Sequence, residues 1–389
     1  MRTENDLTEA LRAAADGAPE PDGLLTGIRA RGRRRRRRRT QGLAAATAVA
    51  AMIAAAPLMT ANGREEEAAR PVTAVSSVPL ERAWPQAVFT MPAERRDGLR
   101  RFPVTSLDAT RVLVVSGPNA DAIRLIELYD TATRTFRELA DLPIPPDMET
   151  YLPQPPAVDG TTLAWYVNAV RKDGTHAREI WTVPLTGGTP RQVAAMTGEH
   201  LRMERIAVNG DRIIWSERTG GVWWMPLSGG APQRLPGSEG LHLIRWPWAG
   251  DVAARDHESS QTKVVDLSAS LHTMKVVAHR DLLRPRCGPF WCWSMRAGRS
   301  HLQRIDGTDA VEPQGLGLPP RFADYPALDR FAVSDVAVYD LATGALVTFE
   351  KPGIWWGDDM SAEPSTIVSW TDSGDEYRML NLAAVPPAQ

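Results

Sequence analysis

Val158-Asp159-Gly160-Thr161-Thr162-Leu163-Ala164-Trp165, followed by Ile180-Trp181-Thr182-Val183-Pro184-Leu185-Thr186-Gly187-Gly188-Thr189-Pro190-Arg191-Gln192-Val193, is a phrase that occurs twice. The second copy is Val208-Asn209-Gly210-Asp211-Arg212-Ile213-Ile214-Trp215, followed by Val222-Trp223-Trp224-Met225-Pro226-Leu227-Ser228-Gly229-Gly230-Ala231-Pro232-Gln233-Arg234-Leu235. Each copy reads as a tight turn, a strand ending in Trp, a hairpin, a second strand, a glycine turn and a third strand, because β-branched and aromatic runs alternate with Asp, Gly and Pro.

The residue before the glycine turn serves as a ruler. Asp130, Pro184, Pro226, Asp266, Arg304, Asp340 and Asn381 fall about 42 residues apart on average, which makes seven units. A period near forty with about four short strands per period predicts an all-β chain folded as a β-propeller of seven blades, with six or eight as the neighbouring counts. A β-sandwich also accounts for alternating strands, but gives no reason for a phrase at near-constant spacing. The last unit stops after a third strand read at Tyr377 to Val385, and an unassigned apolar segment, Ala87 to Met91, precedes the first. That segment is expected to supply the missing fourth strand and close the ring, which leaves no open edge.

The region ahead of the repeats has a different character. Arg29, Arg31 and the run Arg33 to Arg39 precede about twenty uncharged residues, Gly42 to Ala61, and the acidic Glu65 to Glu67 follow. Twenty such residues are the length a helix needs to cross a bilayer, and the arginines hold the preceding segment in the cytoplasm. The predicted organisation is a cytoplasmic helical and Arg-rich segment over 1–40, a single transmembrane helix over 41–62, a linker over 63–85 and an extracytoplasmic propeller over 86–389. Residues 42–61 make the membrane the first expected partner. A cleaved signal peptide is the competing reading, set aside because about forty residues precede the apolar run and Pro57 follows its best small-residue site. A nucleic-acid-binding tail explains the arginines and leaves the apolar run unexplained, so no nucleic acid partner is expected.

The chain offers little chemistry. It lacks a Gly-x-Ser-x-Gly elbow, its seven histidines are scattered without ligand spacing, and no catalytic residue, metal site or cofactor is expected. Cys287 and Cys292 either close one small ring or remain two thiols near one strand. Trp165, Trp181, Trp215 and Trp370 are read as equivalent blade-packing positions. The pairs Trp223-Trp224 and Trp355-Trp356 are adjacent on strands and point to opposite faces, so one ring of each pair is a candidate for exposure. With Trp246 and Trp248 they form the candidate aromatic surface for a peptide, glycan or partner protein.

The Leu-Thr-Gly-Gly-Thr-Pro and Leu-Ser-Gly-Gly-Ala-Pro phrases resemble the blades of the TolB-like and WD40-like bacterial propeller families, over roughly residues 87 to 388. The resemblance implies protein–protein contact at the propeller faces. The front half, with Leu7 to Ala15, Ile28 and the arginine tract before an Ala-rich span, resembles actinobacterial membrane proteins that accompany extracytoplasmic-function sigma factors, which implies that the N-terminal segment holds a sigma factor at the membrane. The expected function is a membrane-anchored, non-enzymatic propeller with a protein or cell-envelope ligand. The alternative is a propeller enzyme, a lyase or glycosidase. Carboxylates and a histidine converging on one mouth of the channel would point to the enzyme, an aromatic and acid-poor mouth to binding.

Overall fold

The computed structural model describes residues 77–389 apart from 143, 198–201, 257, 269–270, 319–324, 350–360, 372–373 and 389. Among the described residues no helix is long and apolar enough to cross a membrane, and the expected span over 42–61 lies outside them.

Seven small sheets follow one another along the chain. Blade 1 runs from Arg100 to Asp141, blade 2 from Met148 to Met196, blade 3 from Met203 to Arg234, and blade 4 from His242 to Lys275. Blades 5, 6 and 7 are built on Leu283–Cys287 to Arg299–Arg304, Phe331–Val333 to Ala345–Thr348, and Ile367–Thr371 with Glu376–Asn381. Successive strands within a blade are antiparallel hairpins, as in Val208↔Ile213 and Trp215↔Trp223 of blade 3.

The apolar core is divided into seven clusters, and each joins two consecutive blades. Side chains of a strand alternate in direction, so the middle strands feed two clusters at once. In Arg111–Gly117 of blade 1, Val112 and Val114 meet Met379 and Tyr377 of blade 7. Leu113 and Val115 from the same strand meet Leu163 and Trp165 of blade 2. The other five clusters join blades 2 and 3, 3 and 4, 4 and 5, 5 and 6, and 6 and 7. Contact between the first and seventh blades closes the circle, and the architecture is a seven-bladed β-propeller.

Closure uses the strand expected for it. Val88–Pro92 pairs antiparallel with Glu376–Asn381, from Val88↔Leu380 to Pro92↔Glu376, as the outer strand of blade 7. The preceding residues, read as linker from the sequence, are also part of the ring. Val78 and Pro79 pair in parallel with Val347 and Thr348 on the outer edge of blade 6. Leu80, Trp84 and Ala87 are buried in the cluster between blades 6 and 7. The last strand is shorter than expected: it ends at Asn381, whose side chain accepts from the Ala383 amide and turns the chain into a short helical turn, Leu382–Ala384.

The repeated phrase has a local physical cause. Gly187 and Gly188 have φ of +89° and +144°, and Gly229 and Gly230 have +96° and +139°, conformations open to glycine and strained for other residues. Arginines of the outer strands then grip the glycine turn of the next blade. Arg137 of blade 1 donates to the carbonyls of Thr186 (2.7 Å) and Leu185 (2.9 Å), and Arg191 of blade 2 donates to that of Leu227. Where the ruler residue is Asp, its carboxylate starts the turn: Asp130 accepts from the amides of Ala132 and Thr133, both at 2.9 Å. Trp181 is not equivalent to Trp215. It lies on the third strand of its blade, directly opposite Trp165, in the place that Trp223 holds opposite Trp215.

Cys287 and Cys292 form a disulfide between paired positions of the first two strands of blade 5, at a sequence separation of 5. Loop-closure entropy for so short a ring limits its contribution to about 2 kcal/mol. Replacing both by Ser is expected to lower the urea midpoint modestly. An unchanged midpoint would show that the bond adds nothing.

Candidate functional site

In each blade the turns between first and second strands and between third and fourth strands lie at one face of the ring; the remaining turns and the blade-to-blade connections lie at the other. The first strands line the axis. Arg205 on the first strand of blade 3 donates from Nη1 to the Ile244 carbonyl of blade 4 at 2.6 Å. Arg245, at the end of the first strand of blade 4, is ion-paired with Asp329, which precedes the second strand of blade 6. Blade 5 lies between these two blades in the ring, so the pair links two blades that are not neighbours.

The turn that presents Asp329 is unusual. Leu328 and Asp329 both have φ of +53°, a left-handed pairing without glycine that holds the carboxylate toward Arg245 and leaves Leu328 47% exposed. Glu363, ahead of the Ile367–Thr371 strand of blade 7, is accessible to solvent, yet the surrounding protein raises its carboxyl pKa by desolvation against the pull of Arg245 and Arg205. Burial works against protonation of Arg245, but Tyr325 and Asp329 outweigh it and hold the guanidinium above its ordinary value. Arg245 and Asp329 are thus in contact, and Arg205 and Glu363 lie within reach of the same electrostatic field, so charged groups of blades 3, 4, 6 and 7 act on one another here. Such a set offers both donors and acceptors to a polar ligand group.

The histidine nearest in sequence, His242, belongs to the opposite end of the blade 4 first strand. Its Nδ1 lies 2.8 Å from Glu204, and Glu204 also accepts from the Ala254 amide at 2.6 Å. Both side chains are buried. The acids at Asp329 and Glu363 and the histidine therefore do not converge on one mouth.

The aromatic residues singled out in the sequence have separate fates. Trp223 packs into the cluster between blades 2 and 3 and Trp224 into that between blades 3 and 4, each half-buried. The Arg212 guanidinium covers Trp224 at 4.2 Å and that of Arg234 lies 5.9 Å from Trp223. The pair does point to opposite faces, and a neighbouring blade lies on each. Trp246 borders the cluster between blades 3 and 4. Trp355 and Trp356 lie outside the described residues.

Among the described candidates, Trp248 packs against an accessible ring. It packs edge-on against Phe290 of the next blade with centroids 6.3 Å apart, and Phe290 is 48% exposed. The backbone continues the patch: the Ile305 amide donates to the Phe290 carbonyl and the Val277 amide to the Ile305 carbonyl at 2.8 Å. Val277 is 49% exposed. Phe290 and Leu328 both belong to turns between first and second strands, so they share the face at which Arg245 meets Asp329. Phe290, Val277, Arg245 and Asp329 were not picked out from the sequence. Only Phe290, next to Trp291 and in a turn, carried a signal there.

No family model matches the chain, and no curated protein does. Among solved structures it is similar to YCF48 bound to D1 peptide, with 10% identity over 79% of this chain and 99% of that one and a TM-score of 0.47. It is also similar to the WD40 β-propeller domain of Doa1 (11% identity, 75% of this chain, 96% of that chain, TM-score 0.40) and to an oligogalacturonate lyase in complex with manganese (9%, 72%, 75%, TM-score 0.40). The class of protein, a seven-bladed β-propeller, rests on the seven sheets and the seven clusters between them.

Proposed function

We propose that the protein is a single-pass membrane protein whose extracytoplasmic propeller binds a protein or cell-envelope ligand and performs no catalysis. The uncharged stretch 42–61 behind the arginine run supports the anchor and its orientation, with 1–40 in the cytoplasm. The resemblance of that segment to sigma-factor-associated membrane proteins supports a tethering role for it, with a sigma factor as its partner.

The observation that carries the binding reading is the exposed apolar group that runs from the Phe290 turn of blade 5 through Ile305 to Val277. Phe290 and Val277 are each about half exposed on adjacent blades, and Trp248 braces Phe290 from behind. Large apolar side chains kept in water together have the make-up of a binding hot spot.

The test places a photoreactive residue at position 290 of the full chain in its native membrane, and another at position 134, on the same face in blade 1. The expected result is a discrete protein adduct from position 290, absent from position 134 and lost when Val277→Asp is added. Equal adducts from both positions, or none from position 290, would overturn the reading.

A further inference from the structure

Blade 2 carries a second polar feature, at the opposite face. Ala164 and Tyr166 of its second strand and Ile180 of its third pack toward blade 3. By alternation Asn168 and Arg178 lie on the same side, and they are direct cross-strand partners. The apolar packing stops at Tyr166 and Ile180, and these two polar residues occupy the next position toward the hairpin that follows Arg171.

The Arg178 guanidinium is half-buried and has no carboxylate ion pair among the described residues. It stands over the Tyr166 ring at 5.9 Å, and its Nε is buried without a hydrogen-bond partner. The Oδ1 of Asn168 is likewise buried and unpartnered. Burial weakens the hold of Arg178 on its proton, Tyr166 opposes it, and the like charge of the exposed Arg218 of blade 3 adds a smaller push in the same direction as burial. Tyr166 itself, pushed up to about 12 by burial, is also within the field of Arg255 and Arg205. Glu204, the carboxylate in the same field, is committed to His242 and to the Ala254 amide.

Taking a guanidinium partly out of water without a counter-ion is costly, and an anion arriving from elsewhere would offset that cost. The orphan acceptor narrows the choice. A carboxylate has only acceptors, whereas a singly protonated phosphate brings oxygens for Arg178 and Arg218 and a hydroxyl that donates to Asn168 Oδ1. We propose that the recess between blades 2 and 3, formed by Asn168, Arg178 and Arg218 over Tyr166, is a phosphate-binding site. It is independent of the apolar group around Phe290.

Titration calorimetry of the full chain in detergent tests this, with inorganic phosphate, glycerol 1-phosphate and acetate against a chloride blank of equal ionic strength. Saturable phosphate binding is expected, at least about tenfold weaker in Arg178→Gln, since hydrogen bonds to charged groups contribute at this scale. Arg218→Gln, at an exposed position that folding does not depend on, is expected to weaken binding several-fold, and Arg134→Gln on the far face to leave it unchanged. Stronger binding of glycerol 1-phosphate than of phosphate would point to an esterified ligand, and the reverse to the free ion. Acetate binding as well as phosphate, no heat above the chloride blank, or equal affinity in Arg218→Gln and the unaltered protein would each overturn the proposal.

Discussion

A variant lacking residues 1–92 is expected to be recovered mainly as aggregate, or to melt far below the full chain, while one lacking only 1–76 keeps its melting temperature. The difference between the two is the closing strand together with the Val78–Pro79 pairing and the buried Leu80, Trp84 and Ala87 that lead into it. Removing Val88–Pro92 leaves the amides and carbonyls of Glu376–Asn381 as a free sheet edge, open to pairing with another chain. It also uncovers the cluster between blades 7 and 1, in which Met91 is fully buried. Met91→Ala alone is expected to cost roughly 2–5 kcal/mol, the range for emptying a large apolar side chain from a packed interior. Calorimetric melting with size-exclusion chromatography checks both. Equal melting temperatures for the two truncations would show that the ring holds without its clasp.

Glu127→Ala is expected to cost roughly 3–5 kcal/mol, the range for leaving a buried charge without its partner. The carboxylate is 1% exposed and sits between Arg95 Nη1 at 2.5 Å and Arg101 Nε at 3.5 Å, with the Ser116 hydroxyl donating to it. Arg101 pays for its position in desolvation, which lowers its pKa even beside this carboxylate, so the substitution strands it. Arg95 also bridges to Glu138 at 2.8 Å, an exposed pair that survives and contributes little. The location sets the consequence: Arg95 lies in the segment joining the closing strand to blade 1, and Arg101 donates to the Glu94 carbonyl at 2.7 Å. Urea denaturation of Glu127→Ala beside Glu138→Ala measures the contrast. A similar small loss in both would remove the role assigned to Glu127.

Blades 2 and 3 were legible because their glycine turns need residues that nothing else supplies, and the need is written as Gly-Gly twice. Blades 5 and 7 were faint for a related reason: each has only three paired strands described in its sheet, and their turns use other residues. The clasp was legible as an apolar segment without a place. The short pairing at Val78 and Pro79 was not, since two residues carry no period. For Trp223 and Trp224, alternation tells which faces two neighbours take, and not whether those faces are covered. At this pair blade 2 lies against one face and blade 4 against the other. The Arg245–Asp329 pair was illegible on different grounds: the two meet only because the ring brings parts of blades 4 and 6 together, and no local pattern relates them.

The parallel pairing on blade 6 bears on how load would pass through the molecule. A pull arriving through the residues before 77 meets Val78 and Pro79 first, then the buried Leu80 and Trp84, and only afterwards the clasp on blade 7. The weakest attachment is therefore outermost, and it can yield like a fuse while the circle behind it stays shut. Tugging on this end would lengthen the leash before it cost the ring its shape.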